Sequence, residues 1–77
     1  MATIVEQITS AIENALPGAT VRVEIGSAGH YSLHVKSEAF RGKNMVESHR
    51  LVYAAIAPLM AGDMAPVHAI DRLKTEA

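Results

Sequence analysis

Residues 20–36 read TVRVEIGSAGHYSLHVK, and the pattern of this segment decides how the rest of the chain is interpreted. Apolar residues alternate with polar ones as far as Ile25, and the alternation resumes from His30 to Lys36. Strict alternation is typical of a strand that buries one face and exposes the other. Because only the four residues GSAG separate the two runs, the segment predicts an antiparallel β-hairpin.

Helical patterns lie on both sides of this hairpin. Upstream, Thr3 and Glu6 have the spacing of a capping box, and apolar residues then recur every three or four positions. This pattern predicts a first helix from Ile4 to Leu16, which Pro17-Gly18 ends. Downstream, Asn44 and Glu47 repeat the capping-box spacing.

The second predicted helix runs from Met45 to Ala57, and Pro58 should end or kink it because proline lacks the amide donor. His49 falls near the middle of its apolar face, so it is interpreted as a half-buried core histidine bonded to the backbone rather than as a ligand. On a helical wheel this face contains Met45, His49, Val52, Ile56, Leu59 and Met60.

The segment VHAIDRL at residues 67–73 is a last strand with poor alternation, since Ile70 breaks the parity set by Ala69 and Leu73. The order helix, strand, strand, helix, strand predicts one α/β (α+β) domain with a three-stranded mixed sheet. If the second and third strands are parallel neighbours, His30 and His68 begin them at the same end, about 5 Å apart.

Composition limits the possible functions. The 77 residues fit one domain, and with no cysteine the chain has no disulfide, no thiolate ligand and no cysteine nucleophile. A net charge of −1 gives no overall attraction for nucleic acid or anionic membranes. The first ten residues lack the cationic pattern of a signal or transit peptide, and no apolar run is long enough to span a bilayer. These features predict a cytoplasmic protein without membrane attachment.

Several candidate sites have ordinary structural explanations. Gly26-Ser27-Ala28-Gly29 matches the GxxG pattern of nucleic-acid clamps, but it joins two strands and is interpreted as a hairpin turn. His30 and His68 are candidate ligands only because the predicted strand order places them at the same end of the sheet. His34 lies four residues from His30, about 13 Å along the strand, so it cannot share one metal ion with His30 and is interpreted as a solvated or partner-facing residue.

The basic residues Lys36, Arg41 and Lys43 cluster between the second strand and the long helix, with Arg50 further along. They form either a solvated connector or a patch that contacts phosphates. The serines and acids have no spacing that indicates a catalytic triad, so an enzyme is the least favoured class.

The segment HYSLHVKSEAFRGKNMVESHRLVYAAI, followed by VHAI, resembles the BolA family, and its IbaG-like branch in particular. The resemblance covers about Leu16 to Leu73. It implies a single KH-like domain and partnership with a monothiol glutaredoxin in iron-sulfur cluster assembly and trafficking. In that arrangement the two proteins share a [2Fe-2S] cluster, for which a glutaredoxin cysteine and glutathione supply thiolates and His68 and His30 supply imidazoles.

Two other hypotheses remain open at this point. Transcriptional roles attributed to BolA relatives favour a small nucleic-acid-binding regulator, in which His34, Lys36, Arg41, Lys43 and Arg50 are the candidate contacts. The third hypothesis is an interaction module without metal.

Overall fold

The computed structural model describes residues 3–77, and its elements follow the order predicted from the sequence. Thr3 caps the first helix by accepting a hydrogen bond from the Glu6 amide, and Asn44 and Glu47 form a complete reciprocal capping box on the second helix. The elements are α1 (Ile4–Ala15), β1 (Thr20–Ile25), β2 (His30–Lys36), a short 3-10 helix (Glu38–Phe40), α2 (Met45–Met60) and β3 (Ala69–Glu76).

The three strands form one mixed sheet in the order β1-β2-β3. β1 pairs antiparallel with β2, with Ile25 opposite Tyr31, and β3 pairs parallel with β2, with Ala69 opposite His30. The predicted α+β fold and the parallel placement of the last strand are confirmed. Because β2 lies in the centre, its two ends are the positions where residues from all three strands meet.

The core lies between one face of the sheet and the two helices. Tyr31, Leu33 and Val35 point from β2 into this core, while Ser32 and His34 alternate with them on the opposite face. No helix within residues 3–77 covers that opposite face, which is called the open face below. The helices contribute fully buried residues to the core, namely Ile8 and Ile12 from α1 and Val52 and Ile56 from α2.

A register shift between Tyr31 and Ser32 explains the poor alternation of the last strand. Tyr31 pairs with Ile70 but Ser32 pairs with Arg72, so Asp71 is an extra residue on β3. Such a β-bulge places two consecutive side chains on the same face. Asp71 and Arg72 are accordingly both exposed, which lets Ile70 and Leu73 both pack against the core despite their opposite parity.

The predicted ends of three elements are corrected by the structure. α1 ends at Ala15, one residue early, and β3 covers residues 69–76 rather than 67–73. α2 continues through Pro58 to Met60 instead of ending at Ala57. Pro58 lies in the last turn of α2 and has no amide to donate to the carbonyl of Ala54. Both residues are exposed, so this carbonyl can be solvated and the helix continues.

The predicted apolar face of α2 is confirmed at Val52, Ile56, Leu59 and Met60, but not at Met45. Ser48, Val52 and Ile56 are buried, whereas Met45 is 71% exposed because it lies at the start of the helix beyond the core. His49 lies at the border of the buried face and is partly buried, as predicted. Within residues 3–77 its ring has no hydrogen bond, so the predicted bond to the backbone is wrong.

No helix within residues 3–77 has the length and apolar character required to cross a membrane.

Candidate functional site

The GSAG segment is a tight hairpin turn, as predicted. The amide of His30 donates to the Ser27 carbonyl at 2.9 Å, and Gly26 donates to the His30 carbonyl at 2.9 Å. Gly29 has a φ of 78°, which a type II turn requires at its third position and which favours glycine. The turn therefore ends in a defined geometry directly before His30, the first residue of β2.

His68 is held against this turn. Its amide donates to the Gly29 carbonyl at 2.8 Å, and the amide of Ala69 donates to the same oxygen at 3.1 Å. A Cβ added at Gly29 would lie 2.1 Å from Cδ2 of the His68 imidazole, so the ring occupies the space that any other side chain would need. His68 precedes β3 by one residue and does not begin it, which corrects the predicted position.

His30 forms a hydrogen bond with Asp71, the extra residue of the bulge. Its Nδ1 atom lies 3.0 Å from Oδ1 of Asp71, and both side chains are about half-exposed on the open face. A histidine that donates from Nδ1 to a carboxylate keeps its Nε2 lone pair free. Asp71 therefore favours the tautomer in which Nε2 of His30 is available as a ligand atom.

The structure thus brings His30 and His68 to the same end of the sheet. His30 is paired in register with Ala69, and His68 is the residue directly before it. The prediction that these two histidines, 38 positions apart in sequence, lie at the same end of the sheet is confirmed, although they are offset by one residue and are not directly opposite each other. Within residues 3–77 no group of three or more His, Asp or Glu side chains is arranged to hold a metal ion, so His30, Asp71 and His68 do not form one metal-binding cluster in the isolated chain.

His34 has a different partner at the other end of β2. Its Nε2 atom forms a short contact with Oε1 of Glu76, and this hydrogen bond lowers the pKa of Glu76 below its ordinary value. The positive charges of Lys74 and Lys36 act in the same direction. His34 is therefore a paired residue of the open face and not a simply solvated side chain.

The basic residues predicted as one patch are divided between two surfaces. Lys36 lines a shallow depression of the open face beside Thr20, Arg22, His34 and Glu76. Arg41 and Lys43 instead line a groove of about 680 Å³ between the start of α2 and the end of β3. Arg41 is also held by a bidentate ion pair with Glu38, at 2.8 and 3.0 Å.

His49 also lines this groove, together with Phe40 and Leu73. The start of α2 lies beside the carboxyl end of β3, since Met45 and Ala77 line the same groove. His30 and His68 lie at the opposite end of β2 and β3. The groove and the histidine pair are therefore two separate regions of the molecule.

Sequence analysis missed two residues that shape the histidine pair. Gly29 was predicted to give conformational freedom to the turn and to His30, but its contact with His68 was missed because that contact depends on the pairing of β3. Asp71 was grouped with scattered surface acids, although the broken parity of its strand was a signal of a bulge. Neither contact is local in sequence, since 39 positions separate Gly29 from His68 and 41 separate His30 from Asp71.

Comparison with known proteins agrees with this architecture. The family model described as BolA-like protein matches residues 6–77. A bolA protein homologue from Coxiella burnetii is 33% identical, with all of this chain and 92% of that chain aligned and a TM-score of 0.76. BolA1 from Mus musculus is 32% identical over 96% of this chain and 67% of that chain, with a TM-score of 0.68.

The BolA domain of SufE1 from Arabidopsis thaliana is 26% identical over 97% of this chain and 94% of that chain, with a TM-score of 0.74. A comparison with curated protein sequences finds no match. The family model spans nearly the whole chain, and it includes the turn, both histidines and the groove. The chain therefore belongs to the family of BolA-like proteins.

Proposed function

We propose that this protein is a non-enzymatic adaptor that supplies His68 and His30 as ligands to a [2Fe-2S] cluster shared with a monothiol glutaredoxin. The observation that supports the proposal is that His30 and His68 lie at the same end of the sheet, on either side of Gly29 in its contacts: His30 follows Gly29 in the chain and the His68 ring packs on it. Membership of the BolA-like family supports it. The chain's partner would contribute a cysteine thiolate, and glutathione would contribute a second one.

The donor set fits a shared cluster better than a resident metal ion. The chain has no cysteine, and within residues 3–77 no three metal-binding side chains converge. Two exposed imidazoles leave half of the coordination of a two-iron cluster to another molecule. Histidine ligation raises the reduction potential of such a centre and makes its release sensitive to protonation. These properties suit a protein that receives and passes on a cluster.

His68 is the anchoring ligand in this proposal. Two backbone amides hold its position through the Gly29 carbonyl, and its ring packs directly on the Gly29 backbone. The ring itself is exposed, so a partner can reach it. A ligand whose direction is fixed before binding loses less conformational entropy when the complex forms.

His30 is the adjustable ligand, and Asp71 orients it. The hydrogen bond from Nδ1 to Asp71 leaves Nε2 directed away from the carboxylate. Carboxylates in this position raise the basicity of a histidine ligand, and their loss typically costs about 10- to 100-fold in metal affinity. His30 follows a four-residue turn with glycine at both ends, which gives it more freedom than His68 has.

The test is to mix the chain with a monothiol glutaredoxin, iron, sulfide and glutathione, and to record visible absorption and circular dichroism. We expect a mixed complex whose spectrum differs from that of the glutaredoxin alone. His34→Ala is the matched control, because it removes an imidazole of the same strand without touching the pair. If His30→Ala and His68→Ala both leave the wild-type spectra intact, the proposal is wrong.

A further inference from the structure

A row of basic side chains lies in the middle of the open face, away from His30 and His68. Three cationic or ionisable side chains form a row across the sheet, because Arg22 is opposite His34 and His34 is opposite Lys74. Neighbouring strands are about 4.8 Å apart, so the three positions are close together. The bulge at Asp71 produces this row, since it sets the register in which Lys74 meets His34.

The two arginines of the open face converge on one depression. Arg22 from β1 and Arg72 from β3 both line a cavity of about 160 Å³ above the central strand. Ser32 and His34 of β2 form its floor, and Glu24 contributes the single acidic side chain of its lining. Two guanidinium groups and a hydroxyl group therefore surround a space suitable for a small ligand.

Arg22 and Arg72 have no carboxylate partner among the described residues. The carboxylate contacts of residues 3–77 join Asp71 to His30, Glu76 to His34 and Glu38 to Arg41, and none includes Arg22 or Arg72. Guanidinium groups bind phosphate oxygens through two parallel hydrogen bonds, and they are less strongly hydrated than ammonium groups. Two unpaired guanidinium groups beside one depression are thus suited to a tetrahedral oxyanion.

We propose that the depression bordered by Arg22 and Arg72 on the open face is a binding site for a phosphoryl group. The site is separate from the histidine pair, and the proposal does not depend on cluster binding. Ser32 would donate a further hydrogen bond to the anion. Lys74 is opposite His34 on β3, and Lys36 lies two residues beyond His34 on β2, so both add positive potential nearby.

The open face favours recognition of the phosphoryl group rather than of a nucleobase. Proteins that bind single-stranded nucleic acid stack bases on aromatic side chains. The three aromatic residues of this chain all lie elsewhere: Tyr31 and Phe40 are buried in the core, and Tyr53 is on α2. The phosphoryl group can come from a free phosphate compound or from a nucleic-acid backbone, and these two sources are distinguished by experiment.

The proposal predicts a specific effect of removing the charge of Glu24. Its carboxylate lines the same depression and repels an anion there. Removing the charge by Glu24→Gln should therefore tighten binding, which a change that merely damages the fold would not do. Arg22→Gln and Arg72→Gln should each weaken binding about tenfold, because each removes a charge-assisted contact. Arg50→Gln is the matched control, since Arg50 is an exposed arginine on α2.

The experiment is a titration of the full chain, labelled with ¹⁵N, with inorganic phosphate and separately with a short single-stranded DNA, at two salt concentrations. We expect saturable shifts of the Ser32, His34 and Arg72 amides, weakened by Arg22→Gln and Arg72→Gln, tightened by Glu24→Gln and unchanged by Arg50→Gln. If phosphate alone gives this pattern, the source is a free phosphate compound. If DNA gives it with higher affinity, the source is a nucleic-acid backbone.

Other results would overturn the proposal. Shifts that stay linear with concentration for both probes would indicate general ionic effects. An equal loss of affinity in Arg50→Gln and Arg22→Gln would indicate attraction by net charge. Binding of DNA that Arg50→Gln abolishes and Arg72→Gln does not would locate the contact on α2. Unchanged chemical-shift dispersion in each variant verifies that the fold is intact.

Discussion

The imidazole of His68 occupies the space beside Gly29 in which a side chain would otherwise lie, with Cδ2 only 2.1 Å from the position of a Cβ. The two residues are joined as well by the hydrogen bond from the His68 amide to the Gly29 carbonyl. A turn residue of the hairpin thus determines the position of a side chain 39 residues away. Substitution of Gly29 should consequently affect both the fold and the candidate ligand.

Gly29→Ala should destabilise the protein more than Gly18→Ala. Both glycines have a positive φ, which costs about 1 to 2 kcal/mol for an L-residue, but a Cβ at Gly18 meets no atom within 4 Å. The additional cost at Gly29 arises from displacement of the His68 ring. Denaturant unfolding measures the difference. In a Gly29→Ala/His68→Ala double variant the cost of the glycine change should fall towards the Gly18→Ala value, because the ring atoms are gone and only the Cβ of residue 68, at 3.2 Å, remains close. Equal costs in the single variants would contradict the contact.

His68→Ala should abolish the mixed cluster complex or leave only the spectrum of a glutaredoxin homodimer. His30→Ala should retain a mixed complex with an altered spectrum and faster cluster loss, because glutathione or water can take the vacant position. The reason is that His68 is fixed by backbone hydrogen bonds whereas His30 follows a glycine-flanked turn. Visible circular dichroism and the rate of transfer to a chelator measure both effects. The reverse ranking would show that His30 is the anchor.

Asp71→Ala should change the tautomer of His30 in the isolated chain. With Asp71 present, Nδ1 of His30 carries the proton that it donates to Oδ1. Without the acceptor, the Nε2-protonated form should predominate, which ¹⁵N chemical shifts of the ring report directly. Cluster retention in the mixed complex should fall about 10-fold or more. Asp63→Ala, a change at an exposed turn residue, serves as the control, and an unchanged His30 tautomer in Asp71→Ala would refute the orienting role.

His34→Ala should raise the pKa of Glu76. The hydrogen bond from His34 is the main cause of the lowered pKa, with Lys74 and Lys36 contributing charge. Because the folded-state pKa lies below the ordinary value of 4.5, the pair stabilises the fold above that pH and loses its effect as the pH falls through the folded-state pKa. A ¹³C titration of the Glu76 carboxylate measures the shift. His30→Ala, which breaks a different pair, should leave the titration of Glu76 unchanged.

His49→Ala should lower stability by about 1 kcal/mol and leave cluster assembly intact. The ring is half-exposed at the border of the core and lines the groove at the end of the sheet opposite His68. Loss of the ring removes packing contacts but no hydrogen bond, so we expect only a small decrease in the free energy of unfolding. Unfolding midpoints and the mixed-complex spectrum are measured on the same sample. An unchanged midpoint with lost assembly would make His49 a site residue.

The local elements of this protein were determined by its sequence alone. The alternation from Thr20 to Lys36 specified a hairpin, and the Asn44 and Glu47 spacing specified where α2 begins. These features depend on residues that are two to four positions apart, where backbone geometry fixes which side chains meet. The fold class followed from the order of the elements. The placement of His30 and His68 at one end of the sheet then followed from the rule that parallel strands begin at the same end, but their one-residue offset did not.

The contacts that shape the two candidate sites were decided only by the tertiary structure. Pairing of β3 with β2 produced the bulge that brings Asp71 to His30 and sets Arg72 on the open face with Arg22. The same pairing places the His68 ring in contact with Gly29. A one-residue change in register reverses the face of every side chain beyond it. Because that register depends on packing across the whole sheet, no local pattern in the sequence specifies it.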